Sequence, residues 1–266
     1  MPRWFDAGVN LFSERFAPDR DAVIQRAQQN HIRELLLISS DLAESYQNSG
    51  YCQTATAVYC TAGVHPHQAS SVTERWVEEL QLLLRQPAVV AVGECGLDFN
   101  RNFSAPEQQI QVFELQLALA IQQQKPVYLH ERDAFSTQIN LLKKHSGLTG
   151  IAHCFTGDRS ELKAYLDLGL YIGITGWLCD EKRGQNLMEA IRYLPLDRLI
   201  LETDAPFLLP KTMAPKPKSS RNEPIYLPQI AAQFAKLTGH DLDDIALNSR
   251  KNSLRLFQIT ADEYSL

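Results

Sequence analysis

Short apolar runs and amphipathic stretches alternate along this chain from end to end. Runs of the fully buried kind occur at WFDAGVN (4–10), RELLLIS (33–39), AVYCTAGV (57–64) and AVVAVGE (88–94). Four more follow at PVYLH (126–130), GIAHC (150–154), LYIGIT (170–175) and RLILET (198–203). Most of the intervening segments have helical period. The clearest is 104–124, with apolar side chains at Ile110, Phe113, Leu117 and Ile121. Ser104 stands where a cap belongs and Glu107 three residues later, as in a capping box. Segments 19–30 and 158–169 read the same way, the second stopped by Gly169, and the chain from Pro224 onward reads as helical without a convincing strand.

Eight buried-type strands alternating with helices predict an α/β fold, a parallel sheet closed as a (β/α)8 TIM barrel in one domain spanning 1–266. An open doubly wound sheet is the competing architecture. It usually carries a glycine-rich phosphate turn after its first strand, and VNLFSERF is not one. The one long irregular segment, 205–224, is dense in proline and lysine, and a loop of that length is usually functional or disordered.

Composition changes this picture little: 44% hydrophobic and 21% charged residues suit a soluble domain with a sizeable core. A net charge of −5 argues against holding nucleic acid by bulk electrostatics. It leaves a nuclease open, because an acidic site recruits metal ions that then meet the phosphate. No signal peptide stands at the start, and no apolar run approaches the roughly 18–20 residues of a membrane span. Five cysteines without a CxxC pair suit reduced thiols. The expectation is a cytoplasmic protein without a membrane partner, and a monomer, since no heptad stands out.

In a barrel of this class, catalytic groups sit at the C-terminal ends of the strands. Those ends carry His65 and His67, Glu94, His130, His153, and then Glu202 and Asp204. A lone histidine there is more often structural, and a lone carboxylate is as apt to cap the next helix as to do chemistry. Their joint occurrence, drawn from strands far apart in sequence, points instead to a metal site of Glu94, His130 and His153. Two imidazoles and a carboxylate are a ligand set seen with zinc, manganese and iron, and magnesium is reachable when waters complete the shell. Asp204 reads as a further ligand, a general base or a cap to the next turn. Glu202 reads as orienting a ligand or as a plain salt bridge.

Other candidates surround this set. His65, in a rigid turn before Pro66, is expected near substrate, and His67 behind it or at the surface. His31, His145 and His240 are expected at the surface, and Cys95 and Cys154 as small buried thiols. Arg132, Arg101, Lys211, Lys216, Lys218 and Arg221 are candidate phosphate contacts, with Asp98 and Asp133 orienting them or meeting substrate.

The stretches GVHPH, GECGLDFNRNFS, PVYLHERDA, AHCFTG, YIGITGW, ETDAPFLLP and SRNEP occur in this order. Together they resemble the TatD family of metal-dependent deoxyribonucleases, within the amidohydrolase-like barrels, over residues 4 to 258. The resemblance implies a magnesium-dependent nuclease, with manganese or zinc as alternatives, that cuts single-stranded DNA or RNA from a 3′ end and serves DNA repair or turnover. It also implies Glu94, His130 and His153 as metal ligands and Asp204 as ligand or base, with His65, Arg132 and Asp98 near the substrate.

One departure bears on metal number. Much of the superfamily opens with a His-x-His pair on its first strand, and here Gly8 and Asn10 stand in those places. The first of two metal sites is therefore expected to be weak. The expected chemistry is phosphodiester hydrolysis by a metal-activated water, with Asp204 accepting its proton. The rivals are a hydrolase of small esters, amides or lactones, a D-aminoacyl-tRNA deacylase, and a catalytically weak barrel that binds nucleic acid or protein.

Overall fold

The computed structural model describes residues 2–260. Eight strands follow one another in a single sheet in chain order: β1 (Trp4–Val9), β2 (Ile32–Leu37), β3 (Val58–Ala62), β4 (Val89–Asp98), β5 (Val127–Arg132), β6 (Gly150–Ala152), β7 (Tyr171–Ile174) and β8 (Leu199–Leu201). The strand pairings resolved are parallel, and a parallel bridge between Val9 and Ala205 sets the chain after β8 beside β1. This is the (β/α)8 barrel class that the alternation predicts. The helices are α1 (Arg20–Gln29), α2 (Leu42–Cys52), α3 (Trp76–Leu84), α4 (Pro106–Gln123), α5 (Phe135–Lys144), α6 (Arg159–Asp167), α7 (Gln185–Ala190), α8 (Leu227–Thr238) and α9 (Leu242–Leu256). The helical reading of the chain's end also covered 261–266, which lie outside the described residues. No helix among the described residues is long and apolar enough to cross a membrane.

The chain forms two compact units. One comprises Leu37–His153 with Asp167–Leu170, and therefore β3 to β6; the other holds the remaining described residues, with β1, β7, β8 and nearly all of β2. Strand residues are buried on both faces, as β1, β6, β7 and β8 show at every position. Such strands cannot display alternating polar residues and read as unbroken apolar runs.

Two local expectations need correction. The fourth strand does not end at Glu94 but continues to Asp98, with a register shift against β5 between Gly93 and Cys95. Its extension is also held by side chains. Gln109 on α4 accepts from Asp98 N at 2.8 Å and donates to Asp98 O at 3.0 Å, while Gln138 on α5 accepts from Leu97 N at 3.0 Å. These glutamines add to the pairing with β5, which runs as far as Asp98 and Arg132, and an apolar count cannot see them.

Nor does Ser104 cap α4. The cap position is Ala105, followed by Pro106 at the first helical position, and Gln108 accepts from Ala105 N at 3.3 Å. The Ser104 hydroxyl is used instead by the turn after β3, accepting from Ser70 N at 2.9 Å and donating to His67 O at 3.0 Å.

In the unit that contains β1, a buried ion pair joins β2 to the last helix. Arg250 on α9 donates from Nε to Glu34 Oε2 at 2.9 Å and from Nη2 to Glu34 Oε1 at 2.6 Å, and both side chains are under a tenth exposed. Removing one partner leaves an uncompensated buried charge, whereas replacing both with apolar groups does not. Glu34→Ala is expected to lower the unfolding free energy by about 3–5 kcal/mol, and Glu34→Leu with Arg250→Met to recover most of that loss. Urea titration of the three proteins checks this; equal losses in the single and double variants would count against it.

Candidate metal centre

Every residue of the principal cluster lies in the unit that contains β4. Glu94 is 9% exposed and its Oε1 faces three imidazoles: His130 Nδ1 at 2.8 Å, His65 Nε2 at 3.6 Å and His153 Nε2 at 3.9 Å. Beside it, Asp98 Oδ2 meets His67 Nε2 at 2.7 Å and His130 Nε2 at 3.4 Å. Four imidazoles and two carboxylates thus share one small volume. Three of the residues, His65, Glu94 and His130, bring ligand-type atoms within 4.8 Å of one another.

The backbone explains how the groups arrive. Gly93 and Gly96 flank Glu94 at φ of +149° and +141°. A Cβ at Gly96 would stand 1.9 Å from His130 O, and one at Gly93 would stand 2.4 Å from Tyr128 O. Only glycine permits this approach of β4 to β5, so the glycines of GECG are the condition for Glu94 to reach His130. Ser39 O accepts from Glu94 N at 2.8 Å. His65 is held by its own turn: its Nδ1 accepts from His67 N at 3.1 Å, which turns Nε2 toward Glu94.

His153 follows β6, and its Nδ1 lies 2.7 Å from the hydroxyl of Tyr128, which is wholly buried on β5. Tyr128 is thus the outer partner that sets the ring's orientation, as metal-ligating histidines require. It precedes His130 by two residues and so shares its side of the strand; that spacing was the signal in the sequence. His67, expected behind this set or at the surface, has its ring against the Asp98 carboxylate.

The charges are strongly coupled. Burial alone would depress the His130 imidazole, but the facing carboxylates of Asp98 and Glu94 outweigh it and raise the pKa to about 9. Burial would raise Glu94, but the facing imidazoles hold it below the usual carboxylate range. Asp98 is likewise held low, against burial, by His130, His67 and the Arg101 N–H. His65 is pushed down to about 3, by burial first and by neighbouring imidazoles, with Glu94 opposing in part. The cluster therefore favours both carboxylates in their charged form and the imidazolium of His130, and disfavours the imidazolium of His65. His130 Nε2 is buried yet makes no well-formed hydrogen bond, its approach to Asp98 being long. A buried polar atom left short of a partner among imidazoles and carboxylates fits a divalent cation.

The remaining candidates lie elsewhere or are already engaged. Asp204, in the other unit, accepts from Asn10 Nδ2 at 2.9 Å, so Asn10 is a partner of that carboxylate. The turn carrying Asp204 is pinned from β1: Thr203 donates to Asp6 from N at 2.8 Å and from Oγ1 at 2.6 Å. Buried Glu202 accepts from Cys154 N at 2.6 Å.

Arg221 donates four N–H bonds, to Asp19, Glu223 and the Arg15 carbonyl, at 2.6–2.9 Å. Lys211 pairs with Asp180 at 2.6 Å. Arg132 and Asp133 are exposed at and just beyond the end of β5. Cys95 is a buried thiol whose pKa burial raises. Cys154 is only partly buried and lies 3.3 Å from Thr175 Oγ1.

Known proteins resemble this chain over nearly its whole length. The model of the TatD-related DNase family matches residues 5–258. A protein of Erwinia amylovora described as a 3′-5′ ssDNA/RNA exonuclease TatD is 50% identical over 256 residues, 95% of this chain and 99% of its own. A Klebsiella pneumoniae protein of the same description is 48% identical over 259 residues, 96% and 98% of the two chains. Among solved structures, the TatD homologue YJJV of Escherichia coli superposes with a TM-score of 0.88 at 27% identity, covering 97% of this chain and 99% of that one. A TatD family hydrolase of Entamoeba histolytica gives 0.87 at 26% identity over 97% and 99%. The family and the donor groups together support a divalent metal, and this chain belongs to the TatD-related DNase family.

Proposed function

We propose that this chain is a metal-dependent exonuclease that hydrolyses phosphodiester bonds of single-stranded DNA or RNA from the 3′ end. The observation that carries the reading is the Glu94 cluster, a buried carboxylate facing three imidazoles in a chain of this family. Glu94, His130 and His153 would hold the cation, and His65, whose Nε2 also faces Glu94, stands close enough to join them. The ion is proposed as magnesium, which the family resemblance implies; imidazole-rich donors bind manganese and zinc more tightly. A bound cation would neutralise charge building on the phosphoryl oxygens and lower the pKa of water.

The chain's own groups do the rest. Tyr128 holds the His153 ring in one orientation, and Asp98 does the same for His67. Arg132, exposed at the end of β5, would bind a phosphate of the incoming strand, and Asp204 would accept the proton of the attacking water. Arg221 spends four of its five N–H donors on Asp19, Glu223 and the Arg15 carbonyl and would serve the strand mainly by holding the long loop in place. Five cysteines outside any disulfide suit a reducing compartment, and the cytoplasm is proposed on that ground. The principal cluster is built within one chain, which supports a monomer as the working unit.

A 5′-labelled single-stranded oligonucleotide should give a ladder shrinking from its 3′ end, abolished by chelator. Glu94→Gln should lower kcat/KM by more than about 100-fold, beyond the 10–100-fold typical of partners behind a ligand. An uncut strand in the presence of bound cation would end the proposal.

Tyr128→Phe should weaken cation affinity by roughly tenfold while the protein stays folded, because His153 loses its orienting partner. Titration calorimetry with manganese reads the change, and unaltered affinity would remove Tyr128 from this role.

The raised pKa of His130 adds a pH dependence. A cation must displace the proton held there, so below about pH 9 the apparent affinity should fall. Its expected slope is roughly tenfold per pH unit while one proton is displaced per ion. Affinity that stays flat between pH 6 and 8 would contradict it.

A further inference from the structure

Phe103 is the most exposed large apolar side chain among the described residues, at 66%. It is not on a loose loop. Asp98 Oδ1 accepts from Asn100 N at 3.0 Å and Arg101 N at 2.8 Å, and Asn102 Nδ2 donates to Phe99 O at 2.7 Å. Phe99 N is tied to Arg132 O at 2.9 Å, and Ser104 is tied to the turn after β3. Hydrogen bonds thus fix the segment on both sides of the ring. The ring's edge meets the His67 imidazole at 4.7 Å between centroids and 88° between planes. That same imidazole binds Asp98. A fixed aromatic ring therefore stands in water at the rim of the Glu94 cluster, with exposed Arg101 two residues before it.

Holding an apolar ring rigidly in water is unfavourable unless something covers it. A strand whose phosphate reaches the cluster carries bases, and every base offers a π-face that an aromatic ring can stack on without regard to sequence. In a duplex those faces are already stacked and paired. We propose that Phe103 is a stacking platform for an unpaired base next to the scissile phosphate, and that it contributes to the preference for single strands. The proposal rests on the reading of the Glu94 cluster as the phosphodiester-cleaving site.

The test removes each half of the contact in turn. Wild type, Phe103→Leu and Phe103→Trp would be assayed on one oligonucleotide with ordinary 3′-terminal nucleotides and on one with two abasic residues there. On the ordinary strand, Phe103→Leu should lower kcat/KM roughly tenfold, mainly through KM, within the range for base–aromatic stacking, and Phe103→Trp should restore it. On the abasic strand, wild type and Phe103→Leu should be equal.

A loss of the same size on both strands would make the ring a structural element and overturn the platform. So would an unaffected Phe103→Leu enzyme when wild type cuts the ordinary strand and Glu94→Gln does not; the nuclease reading would then survive alone. An ordinary strand left intact by wild type with cation bound would overturn both readings.

Discussion

The buried carboxylate of Glu94 is the constraint on which the rest of its unit depends. A carboxylate held out of water is costly unless charge and hydrogen bonds compensate it. Here the compensation is one protonated imidazole at 2.8 Å and two more imidazoles within 4 Å. Meeting that need dictates the surroundings. β4 and β5 must come close, which demands glycine on both sides of Glu94, and the turn after β3 must present His65 with its Nε2 inward. The same arrangement that satisfies the charge gathers donor atoms for a cation.

Much of this was legible in the sequence. Buried strands are largely apolar, so the eight runs mark the eight strands, the fourth falling four residues short, and the recurrence of carboxylates and imidazoles at several of their ends marked the cluster. What was not legible depended on contacts between segments distant in the chain. The extension of β4 to Asp98 pairs with the end of β5 and is also gripped by Gln109 and Gln138, which read as ordinary helix residues. Ser104 is a proper cap residue by type, but the turn after β3 competes for its hydroxyl and wins. His67 looked peripheral because its partner, Asp98, lies 31 residues away.

Charge patterns were the least informative feature. The Lys and Arg residues of the 205–224 segment read as a phosphate-binding set. In the structure, Arg221 is tied to Asp19 and Glu223, while Lys211 is tied to Asp180. Their first demand is to hold an irregular segment in place, and cations without secondary structure around them commonly serve that purpose. Asn10 shows the reverse situation. Read as a missing imidazole, it proves to be a hydrogen-bond donor to Asp204, and an amide keeps that role at every pH because it does not titrate.

The two glutamines that grip the end of β4 carry a consequence for how this protein can change over time. Gln109 and Gln138 belong to the outer helices, yet the backbone they hold carries Asp98. A helix that slid by one residue would move its side chains by about 1.5 Å, enough to break such bonds. Drift in the buried faces of α4 and α5 is therefore not silent at the centre. The helical layer and the cluster it surrounds are obliged to evolve in step, even where no atom of a substrate comes near the helices.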